Sequence, residues 1–160
     1  MLIFVSGSVN AGKSTTSKLV ATQLNAEWLD FDNFQKEIPA FQLSRDIPKI
    51  LAAGISRINE LDDLGKTVVA NYVLRKKDYE RLRNELKVEK QYYFTLAPRL
   101  EIARSDRGRG LNEWEYERIK YHYDTGVANP SFGEIIDTSD MTAKEAAQFI
   151  IDYVTTKEQA

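Results

Sequence analysis

The segment Gly7-Ser8-Val9-Asn10-Ala11-Gly12-Lys13-Ser14 has the spacing G-x-x-x-x-G-K-[ST] without a mismatch. That pattern has a physical purpose. Its glycines let the backbone curl until successive N–H groups converge on phosphate oxygens. Lys13 adds a cation for the outer phosphates, and the Ser14 hydroxyl is placed to bind Mg²⁺. The candidate nucleotide-binding residues are Gly7, Asn10, Ala11, Gly12, Lys13, Ser14 and Thr15. Two further clusters bear on what happens to the phosphates. Asp30 and Asp32, two residues apart, supply carboxylates suited to metal binding and to taking a proton from an attacking hydroxyl. The run Arg104-Ser105-Asp106-Arg107-Gly108-Arg109-Gly110 holds three arginines and two glycines in seven residues, as a mobile cationic lid would. Arg107 and Arg109 adjoin the glycines and are candidates to stabilise charge on a transferring phosphoryl group. Arg104 is placed to stack its guanidinium plane on a base.

These residues need a scaffold, and the flanking pattern predicts one. An apolar run, Leu2-Ile3-Phe4-Val5, reads as a strand leading into the glycine-rich loop. Residues 13–25 carry Leu19, Val20 and Leu24 at helical spacing, with Asn25 as the cap. A strand over Ala26–Leu29 then ends in Asp30 and Asp32, whose two-residue spacing puts both side chains on one side of an extended segment. Asp46 is expected to cap a second helix that carries Pro48 in its first turn and stops at Gly65. Lys66–Asn71 and Gln91–Leu96 read as buried strands, with a charged amphipathic helix over Lys76–Lys87 between them. Asn71 stands where a strand of this kind would end in a metal-binding Asp, and its amide would offer oxygen without charge. Pro98 opens a helix that runs into the arginine cluster, and Leu111–Tyr123 returns to helix. Trp114, Tyr116, Tyr121 and Tyr123 could form an aromatic wall over an acceptor, but their helical spacing favours packing, and the sole histidine, His122, reads as structural or exposed. Glu134–Asp137 is the last strand, before a closing helix with Ala146, Phe149, Ile150 and Tyr153 inward. Alternating strands and helices indicate an α/β fold with a parallel sheet covered on both faces.

Composition narrows the field. A chain of 160 residues, 42% hydrophobic and 29% charged, predicts one globular domain spanning 1–160. The net charge of −2 argues against extensive nucleic-acid binding, which ordinarily needs a basic excess. No cysteine is present to build a disulfide or a thiolate metal site. Without a membrane-length apolar run or a leader-like N-terminus, a cytoplasmic protein is expected.

Gly7–Ser14, the WLDFDNF and TVVANYVL segments, the LAPRLEIARSDRGRG stretch and the IIDTSDMTAKEAA tail together resemble the small P-loop kinases of the P-loop NTPase superfamily. That group includes shikimate and gluconate kinases, chloramphenicol phosphotransferase, polynucleotide kinase and zeta-toxin-like kinases. The resemblance implies a three-layer fold with a five-stranded parallel sheet of order 2-3-1-4-5 and an arginine-rich lid over about residues 104–112. It implies ATP and Mg²⁺, with a small hydroxyl compound as acceptor. Carried onto these positions, Lys13 and Ser14 hold phosphate and Mg²⁺, Asp32 activates the acceptor and Asp30 lies on the metal side. Arg104 resembles the arginine beside the adenine, and Arg107 or Arg109 the arginine that faces the phosphate. The resulting expectation is an ATP-dependent kinase acting on a small molecule. Two alternatives stand beside it. One is a nucleotide-binding regulator or weak NTPase, prompted by Asn71; the other is a kinase of nucleic-acid ends, with Lys36, Arg45 and Lys49 along a short groove.

Overall fold

A computed structural model describes residues 1–160. Its centre is a five-stranded, all-parallel sheet in the order β2-β3-β1-β4-β5. The strands are β1 (Leu2–Gly7), β2 (Glu27–Asp30), β3 (Val68–Asn71), β4 (Gln91–Leu96) and β5 (Glu134–Ile136). The helices are α1 (Lys13–Gln23), α2 (Leu43–Asp63), α3 (Lys76–Glu85), the short α4 (Leu100–Ala103), α5 (Glu113–Asp124) and α6 (Ala143–Gln159). The expected strand order is therefore the observed one, with helices on both faces.

Alternation along the strands builds two separate cores. Leu2 and Phe4 of β1, Val68 and Ala70 of β3 and Tyr93 of β4 face Ile50, Leu51 and Ile58 of α2 and Leu82 of α3. Ile3, Val5, Val69, Phe94 and Leu96 face the other way, onto Val20 of α1 and Ala147, Ile150 and Val154 of α6. A strand buried on both faces needs apolar side chains at consecutive positions, which is why β1 and β3 read as unbroken hydrophobic runs. A third, small cluster of Ala103, Leu111 and Ile119 sits under the arginine segment and ties α4 to α5.

Three local expectations are corrected. Helix α2 starts at Leu43 with Gln42 as its cap, four residues before the expected cap at Asp46. Asp46 is not the cap. It is fully buried inside the first turns, where it accepts the Gln42 N–H at 2.8 Å and pairs with Arg45 at 2.7 Å and Lys49 at 3.2 Å. Those interactions hold its carboxyl well below the usual range, the Arg45 hydrogen bond first and the Gln42 N–H second. Pro48 consequently falls in the helix interior rather than its first turn. The residues after Asp30 form a 3-10 helix, Phe31–Glu37, so Asp32 is not on an extended segment. On α6, Ala147 and Val154 are inward with Ala146 and Ile150, while Phe149 is exposed. Tyr153 is only partly covered and meets Phe94 edge to face.

Candidate functional site

The glycine-rich loop crosses from the C-terminal end of β1 to the N-terminus of α1, at the edge of the crevice where ligands bind in parallel α/β sheets. Gly7 has φ 150°, and a Cβ there would lie 2.7 Å from the Leu96 carbonyl oxygen. Asn10 and Gly12 take left-handed conformations, φ 61° and 87°. No side chain caps α1. Its first N–H groups therefore keep their donor capacity, as an anion site at a helix N-terminus requires. Ala11 is buried beneath the loop and packs on the sheet core. These features fit a nucleotide's phosphates.

The loop forms the floor of a cavity of about 760 Å³. Asn10, Gly12, Lys13, Ser14, Thr15, Asp32, Arg107 and Arg109 all line it. Lys13 curls over the loop and donates to the Ser8 carbonyl at 2.7 Å. Burial lowers its pKa to about 8, helped by Arg109 and opposed by Asp32 and Asp30. Asp32 shifts the other way. Its carboxyl is raised by burial first and by Asp30 next, against the pull of Lys13 and Arg109. A carboxylate made more basic by burial is a better proton acceptor.

Asp30 lies beside this group rather than in the cavity wall. It accepts the Ser14 hydroxyl at 3.1 Å and the Asp32 N–H at 3.0 Å, capping the 3-10 helix. The Ser14–Asp30 pair is the candidate Mg²⁺ position. No group of three or more His, Cys, Asp or Glu is arranged to hold a metal ion by itself. One carboxylate and one hydroxyl fit a Mg²⁺ that takes its remaining ligands from nucleotide phosphates and water. Asn71 does not turn its oxygen to that position. Its Oδ1 accepts the Ser17 hydroxyl at 2.8 Å, which in turn accepts the Trp28 indole N–H at 2.9 Å. The Asn71 Nδ2 points instead at the Ser14 Oγ, at 3.4 Å.

The arginine segment is docked onto the loop. Arg107 donates to the Asn10 carbonyl at 2.6 Å, and Arg109 reaches the Asn10 side-chain oxygen at 3.4 Å and Glu115 at 3.4 Å. Asn10 returns the contact, donating to the carbonyls of Ala103 and Ser105 at 2.8 and 3.0 Å. Gly108 and Gly110, φ 79° and 73°, carry the chain around the tip. Arg104 is exposed at the end of α4, outside the cavity lining.

The cavity also takes in residues whose spacing favoured packing or solvent exposure over a place in the site. His122 is buried and its Nδ1 lies 3.0 Å from the Ser8 Oγ. Burial, Arg118 and Lys13 push its pKa down to about 4, so the ring is neutral near pH 7. The two partners are 114 residues apart, and no local pattern announces such a pair. Trp114 and Tyr121 line the cavity with exposed rings instead of packing inward, as does the half-buried Arg118 between them. Their spacing of four and three residues was the available signal, because it puts all three on one helix face. Tyr72 follows β3 into the wall, and Arg75 lies there in a bidentate pair with Asp78 at 2.7 and 2.9 Å.

Comparison with known proteins places this fold. No family model matches the chain, and no curated protein matches it. Solved structures do. A sugar kinase from a Janibacter species superposes with a TM-score of 0.75 at 16% identity, over 96% of this chain and 94% of its own. A gluconokinase from Sinorhizobium meliloti gives 0.75 at 15% identity, over 96% and 91%. A shikimate kinase from Acinetobacter baumannii, bound to shikimate, gives 0.68 at 18% identity, over 99% and 95%. The chain has the fold of small P-loop kinases along nearly its whole length.

Proposed function

We propose that this chain, built on the fold of small P-loop kinases, is itself an ATP-dependent kinase that phosphorylates a hydroxyl of a small molecule. The observation that carries the reading is the meeting of Asp32, Lys13 and Arg109 in one cavity above the phosphate loop. The loop amides, Lys13 and Thr15 bind the donor's phosphates. Asp32 orients the acceptor hydroxyl and takes its proton. The acceptor oxygen forms its bond to the terminal phosphorus as the bond from that phosphorus to the bridging oxygen breaks, and ADP leaves. Arg107 and Arg109 face the charge that spreads over the moving group, and the docked lid excludes water. Mg²⁺, held by Ser14 and Asp30 with the nucleotide, would supply further neutralisation of phosphate charge. In this reading Arg104 lies beside the base, outside the chemistry.

Asp32→Asn tests the assignment. The amide keeps the shape of the side chain and loses the proton acceptor. Acceptor phosphorylation is expected to fall by about 10²–10⁴-fold, with ATP affinity nearly unchanged by calorimetry. Transfer at close to the wild-type rate would remove Asp32 from the mechanism.

A second reading, a nucleotide-binding regulator with weak hydrolysis, draws on Asn71, which turns an amide N–H₂ and not a carboxylate toward Ser14. Nucleotide turnover measured against a panel of hydroxylated compounds separates the two. Turnover that rises with one class of alcohol supports the kinase, and a flat response supports the regulator.

A further inference from the structure

One wall of the cavity has no part in that chemistry. α5 turns Trp114, Arg118 and Tyr121 onto it, and the two aromatic side chains are 54% and 48% exposed. Aromatic rings that line a cavity offer a surface on which a flat ligand can stack. The cations of the cavity are unequal. Lys13 is held by the Ser8 carbonyl, Arg107 and Arg109 by Asn10, and Arg75 by Asp78. Arg118 has no carboxylate within 4.0 Å and lies over the Tyr121 ring, 4.8 Å from its centre. Tyr72 is only 5% exposed, yet its hydroxyl makes no hydrogen bond to the protein. No polar side-chain atom that is sealed off lacks a partner, so this hydroxyl opens on the cavity. Its surroundings carry both signs: Asp32 and Asp78 favour the protonated phenol, and Arg75 and Arg118 oppose them. A nearly buried phenol without a partner, a guanidinium without a carboxylate, an uncovered indole and a half-exposed Tyr121 ring with Arg118 on one face together describe a ligand with a flat apolar part and an anionic part.

We propose that the acceptor is an aromatic alcohol bearing an anionic group. Its ring lies against Trp114 and Tyr121, its anion is held by Arg118 and the Tyr72 hydroxyl, and its reacting hydroxyl is directed at Asp32. The direction of that hydroxyl rests on the kinase reading above, and the binding site itself does not. The other source of a flat ring is the base of the nucleotide, and the experiment separates the two.

The indole N–H resonances of the full chain distinguish them, with the Trp114 signal identified by its loss in Trp114→Phe. The probes are mandelate (ring and anion), 1-phenylethane-1,2-diol (ring alone), gluconate (anion without ring) and ADP. Mandelate is expected to shift the Trp114 resonance and to bind about tenfold more tightly than gluconate. Arg118→Gln and Tyr72→Phe are each expected to weaken mandelate about tenfold while leaving the diol and ADP within about twofold. Trp114→Ala, at an exposed position outside the core, is expected to weaken mandelate and the diol but not gluconate. The proposal is overturned if gluconate binds as tightly as mandelate, if none of the three binds, or if ADP alone moves the Trp114 resonance. Mandelate binding without any phosphoryl transfer to aromatic hydroxy acids would sink the kinase reading and leave the site standing. ATP-dependent phosphorylation confined to ring-free alcohols would do the reverse.

Discussion

Lys13 shows how a single buried cation reports on its surroundings. Withdrawal from water lowers its pKa to about 8, and Arg109 works in the same direction, while Asp32 and Asp30 only partly restore it. Phosphate oxygens arriving at the loop oppose that shift and raise the pKa again. Above pH 8 the free protein must therefore take up a proton when it binds nucleotide, and below pH 8 the ammonium is already formed. Nucleotide affinity is expected to decline as pH rises past about 8. Calorimetry in buffers of different ionisation enthalpy should show net proton uptake there. An affinity flat to pH 9.5 would mean that Lys13 stays charged throughout. The neighbouring Asn71 carries a different lesson. Its residue type was legible as a missing carboxylate, but which end of its amide faces Ser14 depends on Ser17 and Trp28, brought in from α1 and β2.

At the scale of elements, the position of the two carboxylates depends on Phe31. That ring is fully buried between Asp30 and Asp32 in the chain, edge-on to Phe4 at 5.3 Å, and it anchors the 3-10 helix against α2. It fits because α2 has glycine at position 54. A Cβ there would meet the ring at 2.2 Å, far inside contact distance. Gly54 has no unusual backbone angle, so its role is room and not conformational freedom. Gly54→Ala is expected to destabilise the protein by about 1–3 kcal/mol and to lower transfer activity through displacement of Asp32. The loss should shrink in the double variant with Phe31→Leu, which removes the ring from the clash. Denaturant melts of the single and double variants measure both effects, and independent costs in the double variant would refute the coupling.

At the scale of the whole molecule, the site is assembled from segments about a hundred residues apart and held by a few polar contacts. Asn10 fastens the loop to the lid, and the Ser8–His122 pair fastens it to α5. The histidine gives this second link a pH signature. Its native pKa is depressed to about 4 from 6.5, so the unfolded chain takes up the proton first as pH falls. The folded state's advantage is complete above pH 6.5 and is lost progressively toward pH 4. His122→Gln keeps a polar partner for Ser8 and removes the titration. The stability difference between wild type and variant is expected to move against the wild type as pH drops from 6.5 to 4, read from melts of both proteins at matched pH. A constant difference would show that His122 does not titrate in this range.

The amino-acid sequence by itself determined the alternation of strands and helices, the phosphate loop, the acidic pair and the arginine segment. Each of these depends on residues close together in the chain: consecutive apolar positions in β1 and β3, glycines and a lysine at fixed spacing, charges within one turn. Even there, a boundary moved where one local contact outweighed another, as when buried Asp46 accepted the Gln42 N–H four residues back and became part of α2's interior. Only the tertiary structure decided what those pieces face. It set Asp32 against Lys13 across a 3-10 turn that no alternation rule describes, and it joined His122 to Ser8 over 114 residues. It also left Trp114 exposed on the cavity wall, with Arg118 lying over the half-exposed Tyr121 and no carboxylate to pair it. A helical stripe of aromatic residues looks the same in sequence whether it meets a core or a cavity, because the difference lies in what the rest of the chain brings to the other side.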